Sequence, residues 1–158
     1  MKTLTLSTPT FARLKRLTAP PQTLYYTGED PTYLLARPTV AIVGTRKMSA
    51  YGTWVTEMIN GELARAGAVV VSGNELGVDL CAQKAALEAG GRVIAVVPSG
   101  LDRVYPATNR PVAERIIASG GAIISENEAG HQPRPEKVLA RHRNNSGISY
   151  PVFVTQAA

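Results

Sequence analysis

Val40-Ala41-Ile42-Val43-Gly44-Thr45-Arg46 is an apolar, β-branched run that stops at a glycine and passes, through Ser49, Tyr51 and Gly52, into a helical pattern. Such a run reads as a strand buried on both faces, which belongs in a parallel sheet flanked by helices. Where it breaks into a helix, it also makes a place for negative charge. The first amides of a helix have no internal partner, the dipole is positive there, and glycine lets a ligand approach the backbone. Arg46 adds a permanent cation whose planar fork of donors suits phosphate oxygens. The residues predict a phosphate-binding loop at the head of an α/β sheet.

The same unit then recurs. A strand over Thr39 to Gly44 leads to a helix from about Ala50 to Ala66, closed by Gly67. A strand at Ala68 to Val71 leads through Ser72-Gly73 to a helix from about Val78 to Ala89, closed by Gly90-Gly91. Arg92 to Val97 is a third strand, and the turn-rich segment Pro98 to Asn109 precedes a helix over about Pro111 to Ala118. Ala122 to Ser125 is a fourth strand. A polar stretch, Glu126 to Pro135, and a short helix come before a last strand at Val152 to Thr155. Strands alternating with helices predict an α/β fold with a doubly wound, mostly parallel, Rossmann-like sheet and helices on both faces. Residues 1–38 lack this rhythm and are expected to form a lead-in segment packed on the sheet by Leu24-Tyr25-Tyr26 and Tyr33-Leu34-Leu35. Residues 39–158 form the domain proper.

Composition narrows the function classes. At 158 residues and 44% hydrophobic, the chain can bury a core without metal or disulfide help. Its one cysteine, Cys81, sits among Leu80, Ala82 and Ala85 and reads as a small buried hydrophobe in a cytoplasmic protein. No apolar run is long enough to span a bilayer and no secretory h-region is seen, so no membrane partner is expected. A net charge of +5 favours polyanions, nucleic acid first.

In doubly wound sheets, ligands bind at the carboxyl ends of the strands. Four turns fall there: Gly44-Thr45-Arg46, Ser72-Gly73, Pro98-Ser99-Gly100 and Ser125-Glu126. A single glycine turn is ordinarily only a tight connection; four converging on one rim, one carrying an arginine, indicate a binding crevice. The first turn matches neither a Walker A loop nor G-x-G-x-x-G, and no G-x-S-x-G elbow occurs. His131 and His142 lie in polar loops, and no Cys/His spacing suits a metal. Glu75, Asp79, Asp102 and Glu126 fall on the rim, but no nucleophile, base and orienter assemble. No enzyme activity, cofactor or metal is predicted.

Seven signatures now stand in order: Tyr25-Tyr26-x-Gly28, V-A-I-V-G-T-R (40–46) with Ser49 and Tyr51-Gly52, S-G-x-x-x-G-V-D (72–79), A-L-E-A-G-G-R-V-I-A-V (86–96), G-L-D-x-x-Y-P-x-x-N-R (100–110), I-I-S-E (123–126) and R-x-R-x-x-S-G-I-S (141–149). Over roughly residues 24 to 157 the chain resembles the DNA processing protein A (DprA/Smf) family. The resemblance implies an extended Rossmann-like fold and binding of single-stranded DNA without sequence preference. It also implies a place in natural transformation as a recombination mediator that loads a RecA-type recombinase. By position it marks Gly44, Thr45 and Arg46, with Ser49, as the phosphate-gripping turn, Ser72 and Gly73 as a second turn, Tyr105, Asn109 and Arg110 as part of the DNA groove, and Arg141 and Arg143 as a later basic motif. Affinity of that kind is tolerant of sequence and sensitive to salt.

The chain also departs from the family pattern. Ala107 stands where a lysine usually follows Tyr-Pro, Glu75 and Leu76 replace a small residue and an arginine, Gln83 replaces a histidine, and Glu128 a proline. Arg141-His142-Arg143-Asn144-Asn145-Ser146 carries two amides at apolar positions. The family's domain runs on through further strands, so the chain reads as a truncated or a short diverged form, with homodimerisation left open. Glu75 and Ala107 favour the alternative, a small phosphorylated ligand such as a nucleotide, bound as sensor or carrier. Cleavage of a nucleotide N-glycosidic bond is disfavoured, because Pro98-Ser99-Gly100-Leu101 lacks the glycine-rich turn and glutamate it needs.

Overall fold

The computed structural model describes residues 2–5, 16, 20–104, 106–134, 136, 141, 144–145, 147–149 and 151–157. Its strands are β1 (Lys2–Thr5), β2 (Thr23–Gly28), β3 (Thr39–Gly44), β4 (Val69–Ser72), β5 (Val93–Val96), β6 (Ala122–Ser125) and β7 (Val152–Gln156). Its helices are α1 (Pro31–Leu35), α2 (Ala50–Arg65), α3 (Val78–Glu88) and α4 (Arg110–Ala118), with a 3-10 turn at Ala107–Asn109. The seven strands form one sheet in the order β1-β2-β6-β5-β4-β3-β7. The ladders from β6 through β3 to β7 are parallel, whereas β1 and β2 pair antiparallel.

Alternation along the strands divides the interior in two. Val40, Ile42, Val70, Val93, Ala95 and Ile123 face one side, under Ala64 of α2, Ala82 and Ala86 of α3, and Ile116 of α4. Val69, Val71, Ile94, Val96 and Ile124 face the other, covered by Leu34 of α1 and by Ile148. Helical cover thus lies on both faces. The chain steps outward from β3 through β4 and β5 to β6, each right-handed crossover placing its helix on the same side. It then returns along the opposite face and lays β7 against the free edge of β3. The reversal of strand order at β3 and β7 is where such sheets bind ligands.

The segment expected to lie on the sheet is built into it. Leu24 and Tyr26 are buried, as anchors should be, but their strand is hydrogen-bonded to β6, with Tyr26 opposite Ile124. A period-two pattern of only two inward residues, Leu24 and Tyr26, is too short to distinguish a strand from an extended packing segment. Tyr33 is exposed. Of the short helix expected before β7, the described residues Arg141, Asn144, Asn145, Gly147 and Ile148 are all helical.

Candidate nucleic-acid interface

The turn after β3 is fastened to the end of β7. Thr45 donates its amide to the Gln156 carbonyl at 2.8 Å. The Gln156 side-chain Oε1 accepts from the Ser49 amide at 3.0 Å and from the Ser49 hydroxyl at 3.2 Å. Ser49 in turn caps α2, its Oγ accepting from the Gly52 amide at 2.9 Å. Thr45 Oγ1 accepts from the Lys47 amide at 3.1 Å. The amides of Thr45, Lys47, Ser49 and Gly52 are therefore engaged within the protein. The sequence predicted amides awaiting an anion; side chains from the turn and a glutamine from β7 occupy several of them instead.

Arg46 leaves this turn with its side chain 64% exposed. Its Nη2 donates to Glu75 Oε1 at 2.8 Å, and the same oxygen accepts from Nη2 of Arg141 at 2.9 Å, although the Arg141 side chain is only 1% exposed. Arg46 is thus one end of an ionic chain rather than a solitary cation. The buried guanidinium also donates to the Gly73 carbonyl, while the Gly73 amide donates to Asp79 Oδ2 at 3.0 Å. A Cβ at Gly73 would collide with both the Arg141 guanidinium and the Asp79 carboxylate, which is the physical need for glycine there. Gly77, at φ +83, packs against the Thr45 carbonyl and Arg46 Cα. Val78 donates its amide to the Thr45 carbonyl at 3.1 Å, locking the second turn to the first.

Burial pushes the Asp79 carboxyl up to about 6; nearby Arg141 opposes the rise and Glu75 adds to it. Burial also raises Glu75, but the hydrogen bond from Arg46 and the charges of both arginines outweigh it and hold that carboxyl below its ordinary range. Two cations and two anions balance in this cluster while Asp79 is ionised.

Among the other expected site residues, Gly44 and Arg110 are exposed. Ser72 is buried and donates to the Ile42 carbonyl at 3.1 Å. Asn109, also buried, donates through Nδ2 to the Asn74 carbonyl at 2.7 Å. Ser72, Gly73, Asn109 and Arg141 therefore support the surface from beneath, and Gly44, Thr45, Arg46, Ser49 and Arg110 stand at or near it. Tyr105 and Arg143 lie outside the described residues, as does His142. His131 is exposed. Cys81 is half-buried, its thiol pushed up to about 11 by burial.

Sequence reasoning missed Gln156 and the internal role of Asp79. Gln156 carries no local signal, since its partners sit 107 positions away. Two depressions flank Arg46. One of about 390 Å³ runs between α2 and α3 past Met48, Leu80 and Lys84; the other, about 80 Å³, is lined by Glu75, Leu76 and Pro106. Among the described residues no His/Cys/Asp/Glu group is placed to hold a metal, and no helix is long and apolar enough to cross a membrane.

Comparison with known proteins adds the following. The family described as DNA recombination-mediator protein A matches residues 2–158. Protein Smf of Synechocystis is 38% identical over 98% of this chain and 39% of its own length. DNA processing protein DprA of Bacillus subtilis is 35% identical over 90% of the chain and 48% of its own length. The chain thus spans less than half the length of these relatives. Among solved structures, DNA processing protein A of Helicobacter pylori superposes with a TM-score of 0.85 at 39% identity, over 99% of this chain and 69% of that one. DprA of Streptococcus pneumoniae superposes with a TM-score of 0.86 at 33% identity, over 97% and 53%.

Proposed function

The chain belongs to the DNA recombination-mediator protein A family, and from that premise we propose that it binds single-stranded DNA without sequence preference through the turn from Gly44 to Ser49. The observation that carries this reading is the Arg46 side chain. It is rooted at the point where strand order reverses and held outward by Glu75, which a buried Arg141 grips from below. A guanidinium fixed in this way loses little entropy on meeting a phosphate, and the adjoining Lys47 adds exposed positive charge. The H. pylori relative has been studied for its single-stranded DNA binding mode, which supports the same ligand here. Delivery of the bound strand to a RecA-type recombinase in the cytoplasm, as in natural transformation, completes the proposal.

A titration of labelled oligothymidine and of duplex at two salt concentrations, read by fluorescence anisotropy, tests it. Binding should favour the single strand and weaken as salt rises. Arg46→Ala should weaken it by about tenfold and reduce the salt slope by about one. Unchanged affinity in that variant would remove Arg46 from the site. The depression between Arg46, Glu75, Leu76 and Pro106 suits one anionic group and favours a second reading, a mononucleotide ligand. Thermal stabilisation by a mononucleotide but not by a longer strand would select it.

A further inference from the structure

α2 presents an aromatic face directly beyond the Arg46 turn. Tyr51 is 73% and Trp54 56% exposed, and their rings lie 6.0 Å apart between centroids, tilted by 34°. Three residues apart near the start of the helix, they project on one outward stripe that Met58 extends. Gly52, Thr56 and Asn60 form the opposite, buried stripe, so the two rings are not required to hold α2 on the sheet. Leaving two large aromatic faces in water is costly unless something covers them.

We propose that Tyr51 and Trp54 are a stacking platform for unpaired bases of a single-stranded nucleic acid whose phosphates lie along Arg46 and Lys47; this rests on the function proposed above. The arrangement matches what an unpaired strand offers. Its backbone is a row of anions, met here by Arg46 and Lys47 four or five residues before Tyr51, in a chain of net charge +5. Its bases are flat, apolar on both faces, and indifferent in sequence to an aromatic ring, so stacking gives affinity without sequence readout. In a duplex those faces are already stacked on one another, so the platform also discriminates in favour of the single strand. A positive loop beside an aromatic pair is complementary to such a strand on both counts, whereas a purely apolar partner would gain nothing from the loop.

Trp54 is the chain's one tryptophan, so its emission reports on the platform directly. Labelled oligothymidine is titrated into the protein while anisotropy and Trp54 emission are followed together, and a backbone oligomer of the same length without bases is titrated in parallel. The expected result is quenching of Trp54 that saturates with the anisotropy signal for oligothymidine, and none with the baseless oligomer. Trp54→Ala and Tyr51→Ala should each weaken oligothymidine binding by about tenfold while leaving the baseless oligomer's affinity unchanged. Because both side chains are exposed, thermal melts of the variants should match the parent. Anisotropy that rises while Trp54 emission stays constant overturns the platform and leaves the Arg46 site standing. Emission that shifts with protein concentration before any nucleic acid is added also overturns it, assigning the face to contact between copies. Absence of any anisotropy change removes the proposed function itself, and the platform with it.

Discussion

Glu75 accepts from two arginines of opposite exposure, and the sign of the local charge turns on a fourth residue. With Asp79 ionised, Arg46 and Arg141 are balanced by Glu75 and Asp79. Asp79 gains its proton as pH falls through about 6, and the cluster then carries one net positive charge. Affinity for oligothymidine should therefore rise as pH drops from 7 to 5 by more than in Asp79→Asn, whose amide keeps an oxygen for the Gly73 amide but does not titrate. Parallel anisotropy titrations of the two proteins across that range would show it; identical pH profiles would contradict it. Stability follows the same linkage. A carboxyl whose folded value lies above its ordinary 3.8 contributes more stability as pH falls from about 6 toward 4, because the folded state then binds the extra proton. Glu75, held below its ordinary 4.5, works in the opposite sense: its contribution is present above that value and is lost as pH falls through the folded one.

The β3–α2 turn depends on two strands that are adjacent in the sheet and far apart in the sequence. Gln156 of β7 anchors the backbone at Thr45 and Ser49, so the geometry of the β3–α2 turn is set by an element more than 100 residues away. Gln156→Ala keeps the backbone bond to Thr45 but removes the acceptor for the Ser49 amide and hydroxyl. The cost should be about 1 kcal/mol, because both bonds are exposed and water can take up the freed donors. A thermal melt should fall by a few degrees, and oligothymidine binding should weaken because the turn that carries Arg46 loses its side-chain tie to β7. A variant that melts and binds as the parent does would show that Ser49 is seated without Gln156. β7 itself ends the sheet with Val152, Phe153 and Val154 exposed, an edge of the kind that pairs readily with another strand.

The sheet is covered on both faces, and β5 lies at its centre. Ile94 is fully buried on the face against which, among the described residues, Leu34 of α1 and Ile148 pack. Ile94→Ala should cost about 3 kcal/mol, a large part of the stability of a domain this size. Urea denaturation should show the midpoint falling with little change in slope. Much of this architecture was legible in the chain. The β-branched runs at 39–44 and 122–125 define their strands to the residue, and the strand–helix rhythm specifies parallel ladders with the turns at one rim, because buried strands and glycine-closed helices write local, periodic signals. The seven ordered signatures identified the family for the same reason. The lead-in strand β2 was harder, since two inward residues are too few to declare a period. The sequence by itself determined that glycine-rich turns, the first of them carrying Arg46, would gather at the carboxyl ends of the strands. Only the tertiary structure decided that Arg46 stays outward while Arg141 is buried beneath it, and that Glu75 and Gln156 fix the turn. Those contacts join residues 29 to 107 positions apart, and which partner a charge meets across such a separation depends on how the layers pack, not on any neighbour in the chain.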